Sequence, residues 1–172
     1  ATCEITVVVE DNENPSFVNC PTTDILVSND ANECSGNVSW SIPIAEDNCG
    51  VDSVVQLEGL TPGSSFDVND TDTIVYVAYD AAGNTDTCSF TVTVEDTEEP
   101  NAICKDTVLF LNDDALAFLT GADIDGGSSH NCGVASVVLT QDTFSCADLG
   151  VNNVIMVVTD VNGNVDSCIA TI

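Results

Sequence analysis

The chain has 172 residues, with 29 Asp and Glu against one basic residue, Lys105, for a formal net charge of -28. Such a charge repels nucleic acid and anionic membrane surfaces, and no run is long and apolar enough to span a bilayer, which argues against direct membrane insertion. A hydrophobic fraction of 44%, rich in Val and Ile, argues against a disordered acidic tail and for a folded β protein.

The elements follow in chain order. "CEITVVVE" (3–10) alternates Cys3, Ile5, Val7 and Val9 against polar or outward positions, the period of a half-buried strand. An acidic linker, "EDNENP" (10–15), comes next. "NVSWSIP" (37–43) puts Val38, Trp40 and Ile42 on one face. "VDSVVQL" (51–57), "TIVYVAYD" (73–80) and "CSFTVTVE" (88–95) continue the series, and a second acidic linker, "EDTEEP" (95–100), follows. "DDALAFL" (113–119) reads as a strand, as do "VASVVLT" (134–140) and "NVIMVVTD" (153–160). The turn clusters "EDNCG", "DAAGN", "GGSSHNCG" and "DVNGN" separate them. Short strands at this spacing predict an all-β chain of tandem immunoglobulin-like β-sandwich domains.

An internal repeat sets the expected boundaries. "NCGVDSVV" (48–55) answers "NCGVASVV" (131–138), and "YDAAGNTDTCSFTV" (79–92) answers "TDVNGNVDSCIATI" (159–172). "ATCEITVVVEDNENP" (1–15) shares nine of fifteen positions with "DTCSFTVTVEDTEEP" (86–100). The expected organisation is one sandwich over 15–99 and a second over 100–172, with residues 1–14 as the last strand and linker of an upstream repeat.

Nine cysteines and no CxxC pair point to disulfides in an oxidising, extracellular setting rather than to zinc. Three are shared by both copies: Cys20 and Cys104, Cys49 and Cys132, Cys88 and Cys168. First and last strands of an immunoglobulin-like sandwich run parallel, which favours Cys20–Cys88 and Cys104–Cys168. By exclusion, Cys34–Cys49 and Cys132–Cys146 follow, although four cysteines allow three connectivities. Cys3, in the register of Cys88, is left over and is expected to have lost its partner by truncation.

"CPTTDILVS", "VSW", "DNCG", "GLTPGSSF" and "VYVAYDAAGNTDTCSFTVTVEDTEEP" resemble the HYR (hyalin repeat) domain over 15–99. The second copy lacks the Trp and the "CP" but keeps "NCG", "DVNGN" and the final Cys. It is similar to immunoglobulin-like repeats beside HYR domains in large secreted flavobacterial surface adhesins, including the gliding-motility type. The resemblance implies a secreted or cell-surface structural segment, a role in adhesion or scaffolding, and no catalytic residues. Its expected partners are neighbouring repeats of the same chain, with surface glycans or proteins engaged through other domains. Two alternatives are a carbohydrate- or protein-binding module and an accessory domain of a secreted hydrolase.

The linkers suggest calcium, which takes six to eight oxygens from carboxylates, carbonyls and amides. At the first linker the expected ligands are Glu10, Asp11 and Glu13 with Asp47, Asn48, Asp80 and Asn84. At the second they are Glu95, Asp96, Glu98 and Glu99 with Asp123, Asp125, Asn131, Asp160 and Asn164. The competing explanation is that "DAAGN" and "DVNGN" are hairpin turns in which Asp and Asn bond the backbone, and that the linkers are solvated. His130, alone in a Gly/Ser loop, reads as an ordinary loop residue. Trp40 reads as core, packed near a disulfide.

Overall fold

The computed structural model describes residues 2–172. It divides into two compact units. The first holds the chain up to Val27 together with Ser35–Glu95, and the second holds Ser28–Cys34 with Asp96–Ile172. Both are all-β sandwiches of immunoglobulin-like type. The dividing line falls after Glu95, and the short stretch Ser28–Cys34 joins the second unit, an assignment that no contiguous cut of the sequence provides.

In the first unit the strands are β1 (Ser16–Phe17), β2 (Ile25–Ser28), β3 (Ser35–Val38), β4 (Ala45–Glu46), β5 (Val51–Glu58), β6 (Ser64–Asp67), β7 (Thr71–Asp80) and β8 (Thr85–Glu95). One sheet has the order β2-β8-β7-β5; β3 pairs with β6, and β1 with β4. β7 and β8 form an antiparallel hairpin in which Ile74 faces Phe90 and Tyr76 faces Cys88. Alternation fixes that register, because a one-residue slip would expose the whole apolar face. Ile74, Tyr76, Cys88, Phe90, Val92 and Val94 are buried together with Val38 and Phe66. Trp40 packs edge-on against Phe90 at 5.6 Å between ring centroids. Its Nε1 donates to the Tyr76 hydroxyl at 3.1 Å, which donates to Gln56 at 3.0 Å, so the buried polar tips are satisfied.

The second unit contains β9 (Leu116–Phe118), a four-residue helix α1 (Gly121–Ile124), β10 (Val134–Leu139), β11 (Thr143–Ser145), a 3-10 turn (Cys146–Asp148), β12 (Asn153–Asp160) and β13 (Val165–Thr171). One sheet runs β10-β12-β13, and β9 pairs with β11. The core collects Ile124, Val154, Met156, Val158 and Ala170, with Leu119 and Phe144. No apolar period announces α1. It is set by a local lock, in which the Thr120 amide and hydroxyl both donate to Asp123 Oδ2, at 2.8 and 2.6 Å. No helix among the described residues is long and apolar enough to cross a membrane.

Three strand expectations change. Cys3–Glu10 forms no strand, and Ile5, Val7 and Val9 are exposed. Alternation supplies an apolar face, but a strand also needs a ladder partner. β3 ends at Val38, before the Trp40 and Pro43 of the expected strand, and within 113–119 the strand is confined to Leu116–Phe118.

The disulfides are Cys20–Cys88, Cys104–Cys168 and Cys34–Cys132. The last replaces both pairs expected by exclusion, Cys34–Cys49 and Cys132–Cys146. Cys132 and Cys146 lie beyond opposite ends of β10, whose six residues span about 20 Å, against the roughly 4–7 Å between α-carbons that a bridge tolerates. Cys34 belongs with the second unit and Cys49 with the first. Cys3, Cys49 and Cys146 are free and exposed.

Candidate metal centre

In the first unit, the acidic linker and two turns converge. Asp11 comes from the linker, Asp47 from the turn before β5, and Asp80 from the end of β7. Each offers a carboxylate oxygen, and the three oxygens lie within 4.8 Å of one another. Asp80 is 5% exposed. Its Oδ1 accepts the Gly83 and Asn84 amides at 2.6 and 2.7 Å, and its Oδ2 accepts Asn84 Nδ2 at 2.7 Å. Burial pushes this carboxyl upward, but the hydrogen bonds from Asn84, Gly83 and Ala82 outweigh it and hold the group below the usual carboxylate range.

Asp47 turns its Oδ1 to the Cys49 and Gly50 amides at 2.8 and 2.9 Å. Its Oδ2 is buried without a hydrogen-bond partner among the described residues. A buried, unpaired carboxylate oxygen is costly unless a cation compensates it. Asp11 Oδ1 accepts the Glu13 amide at 3.2 Å, and its carbonyl accepts Asn84 Nδ2 at 3.3 Å. The Cys49 thiol donates to the Asp11 carboxylate; that bond, then the charge of Asp11, holds the thiol above its ordinary value. Three clustered carboxylates with an unpaired buried oxygen fit a hard divalent cation that prefers oxygen.

The second unit builds the same frame with different contents. Asp96 and Asp160 correspond to Asp11 and Asp80, and both are buried. His130 stands at the place of Asp47. Its Nδ1 lies 3.7 Å from Asp96 Oδ2 and its Nε2 3.6 Å from Asp160 Oδ2. The Cys132 amide donates to Nδ1 at 3.2 Å, and Nε2, on the Asp160 side, is buried without a hydrogen-bond partner among the described residues. Asn162 Nδ2 donates to Asp96 Oδ2 at 2.6 Å, and Asn164 Nδ2 to Asp160 Oδ2 at 2.8 Å. For Asp160, burial raises the carboxyl, but bonds from Asn164, Asn162 and Gly163 prevail and lower it. Nitrogen donors already engage these carboxylates. Cys132 lies beside Asp96 and His130, but its sulfur is in a disulfide and offers no thiolate. This cluster does not fit calcium.

The remaining expected ligands go elsewhere. Glu10, Glu95 and Glu99 are exposed and outside both clusters. Asn48 donates to Glu13, and Asn131 to Glu98 at 2.9 Å. Asn84 and Asn164 act as donors that hold the turns. Asp123 locks α1, and Asp125 accepts the Gly127 and Ser128 amides at 3.0 and 2.7 Å. Sequence reasoning missed His130 and Asn162. The signal for His130 was available, because "DNCG" (47–50) aligns with "HNCG" (130–133).

Residues 10–94 match the family model of the HYR domain. Over 179 aligned residues, 98% of this chain, it is 34% identical to hyalin of Strongylocentrotus purpuratus and spans 14% of that protein. It is 36% identical over 96 residues to the sushi, von Willebrand factor type A, EGF and pentraxin domain-containing protein 1 of Mus musculus, covering 55% of this chain and 3% of that one. It is 37% identical over 81 residues to the human sushi repeat-containing protein SRPX, covering 46% of this chain and 17% of that protein. The chain thus spans a small part of the relatives it matches.

Proposed function

From the premise that residues 10–94 are a HYR domain, we propose that this chain is a structural repeat segment of a large secreted or cell-surface adhesin, with no catalytic role. Its task is to space and present adhesive domains carried elsewhere. Neighbouring repeats are its partners, and surface glycans or proteins are engaged through other domains. The gliding-motility adhesins of flavobacteria, and assembly of such chains into filaments, are the narrowest form of this reading.

Two features support it. Each unit ties its opening segment to its last strand with a bridge, Cys20–Cys88 and Cys104–Cys168, which suits an oxidising exterior. The observation that carries the mechanism is the unpaired buried oxygen of Asp47 beside Asp11 and Asp80. Calcium supplies there the positive charge that this chain, with a single basic residue, lacks. Asp11 belongs to the segment entering the first unit, while Asp47 and Asp80 belong to its turns. Joining them fastens the entering chain to the sandwich. In the second unit the Asn162 and Asn164 side chains and the Glu98 amide hold Asp96 instead.

Isothermal titration of calcium into the oxidised chain tests this. The expected result is one site in the first unit, with an affinity on the order of 0.1–1 mM as in extracellular modules, lost in Asp47→Ala. Undiminished binding in Asp47→Ala overturns the assignment, and absence of binding in the parent chain overturns the calcium mechanism.

A further inference from the structure

In the second unit, Cys132 belongs to a socket that holds a loop. The loop is Ser28–Cys34. Its Cys34 is bridged to Cys132. The Asn32 amide donates to both oxygens of Glu98, at 3.1 and 3.0 Å, and Asn29 Nδ2 donates to Glu98 Oε2 at 3.1 Å. Asn131 Nδ2 reaches the Glu33 carbonyl at 2.7 Å. Asn32 has φ 61°, a left-handed conformation that asparagine tolerates better than most residues and that aims its amide at Glu98. Glu98, Asn131 and Cys132 therefore recognise a loop by a carboxylate, an amide and a sulfur.

The first unit carries the same three groups in the same frame. Asn48 donates to Glu13 as Asn131 donates to Glu98. The Glu13 amide bonds Asp11 Oδ1 at 3.2 Å, and the Glu98 amide bonds Asp96 Oδ1 at 3.1 Å. The carbonyls of Asp11 and Asp96 each accept an asparagine side chain at 3.3 Å, from Asn84 and Asn164. Cys49 stands where Cys132 stands, and it is exposed and free.

We propose that Glu13, Asn48 and Cys49 form a docking socket for the cysteine-bearing loop of another HYR-type repeat, closed by a disulfide to Cys49. The partner's chemistry follows from the occupied example: a loop of the type Asn-x-x-Asn-Glu-Cys, with a backbone amide and an asparagine side chain for Glu13 and a carbonyl for Asn48. The Ser28–Cys34 loop of this chain is already bridged to Cys132, and Cys146 sits in a 3-10 turn with no such sequence around it. The partner is therefore a further repeat. In closing, two thiols lose two protons and two electrons and form one S–S bond. The electrons pass to a disulfide oxidant by two successive exchanges, leaving it as two thiols. This inference does not depend on calcium.

A chain with residues 15–94 duplicated in tandem ahead of Glu10 tests it, oxidised in a glutathione redox buffer and mapped by non-reducing peptide mass spectrometry. The expected result is a bridge between the loop cysteine of the added copy and Cys49, with Cys34–Cys132 intact. Glu13→Ala with Asn48→Ala lowers its yield several-fold. A Cys49 that stays open to alkylation while Cys34–Cys132 has formed overturns the proposal, as does indiscriminate pairing with Cys146. Should the tandem chain misfold, the peptide Ser28–Cys34 is offered to the full chain as a glutathione mixed disulfide. Coupling at Cys49 at least tenfold above Cys3 and Cys146 supports the socket, and equal coupling at the three overturns it.

Discussion

Asp47 and His130 hold matching positions before an "NCG" turn, and their difference separates the two clusters. Asp47 completes three carboxylates with one buried oxygen unpaired. His130 puts an imidazole between two buried carboxylates. Replacing it by aspartate would bring a third negative charge into a buried site. His130→Asp is expected to lower the unfolding temperature of the second unit in chelator and to recover part of that loss with calcium, read by thermal unfolding with and without the ion. Other acids at this scale are caps. Bonds from the Ser128 and Gly127 amides hold Asp125 below its ordinary value, and bonds from the Ser145 amide and hydroxyl do the same for Asp148. A depressed carboxyl stabilises the fold above its unfolded value, about 3.9, and that contribution is lost as pH falls through the lowered folded value. Urea midpoints should therefore fall below about pH 4, and less steeply in Asp125→Asn and Asp148→Asn. The sequence shows which acids cluster near turns. It does not distinguish a cap from a ligand, since the cap Asp125 and the cluster residues Asp47 and Asp80 all sit two to four residues before the backbone amides they accept.

β8 and β12 show what element reading can deliver. In β8 the alternation is strict, and it selects Val92 and Val94, which are fully buried; β12 carries a continuous apolar run, Val154–Val158, in which only burial alternates, with Val154, Met156 and Val158 fully buried. Each such side chain contributes about 1.5–3 kcal/mol. The same pattern fails at Cys3–Glu10, because periodicity reports a face and says nothing about a neighbour to pair with. It also misses α1, whose four residues are fixed by one Thr–Asp lock and too short for a helical period. Ile74, fully buried on β7 opposite Phe90, tests the core most directly. Ile74→Ala should cost about 2–5 kcal/mol in urea unfolding. Gly59, at φ 85°, lies against this side chain: a Cβ there would come within 2.4 Å of Ile74 Cδ1 and 2.7 Å of the Thr73 carbonyl.

At the scale of the molecule, two units were legible from the repeated "NCG" and Gly-Asn turn sequences, which fix two sandwiches by their shared motifs. The assignment of Ser28–Cys34 to the second unit was not, because it depends on a bridge between cysteines 98 positions apart and on Glu98 accepting from Asn29 and Asn32. Pairing by exclusion within each copy could not find it. A formal charge of -28 leaves the folded chain dependent on cations, and the central claim is that part of this dependence is a specific site rather than general screening. The most direct measurement is thermal unfolding under non-reducing conditions in calcium, in magnesium at matched ionic strength, and in chelator, for the parent chain and Asp47→Ala. A site held at a hundredfold its dissociation constant adds about 2.7 kcal/mol. The account predicts a rise of several degrees specific to calcium and absent in Asp47→Ala. Equal unfolding temperatures in calcium and magnesium, or a calcium rise that survives Asp47→Ala, would contradict it.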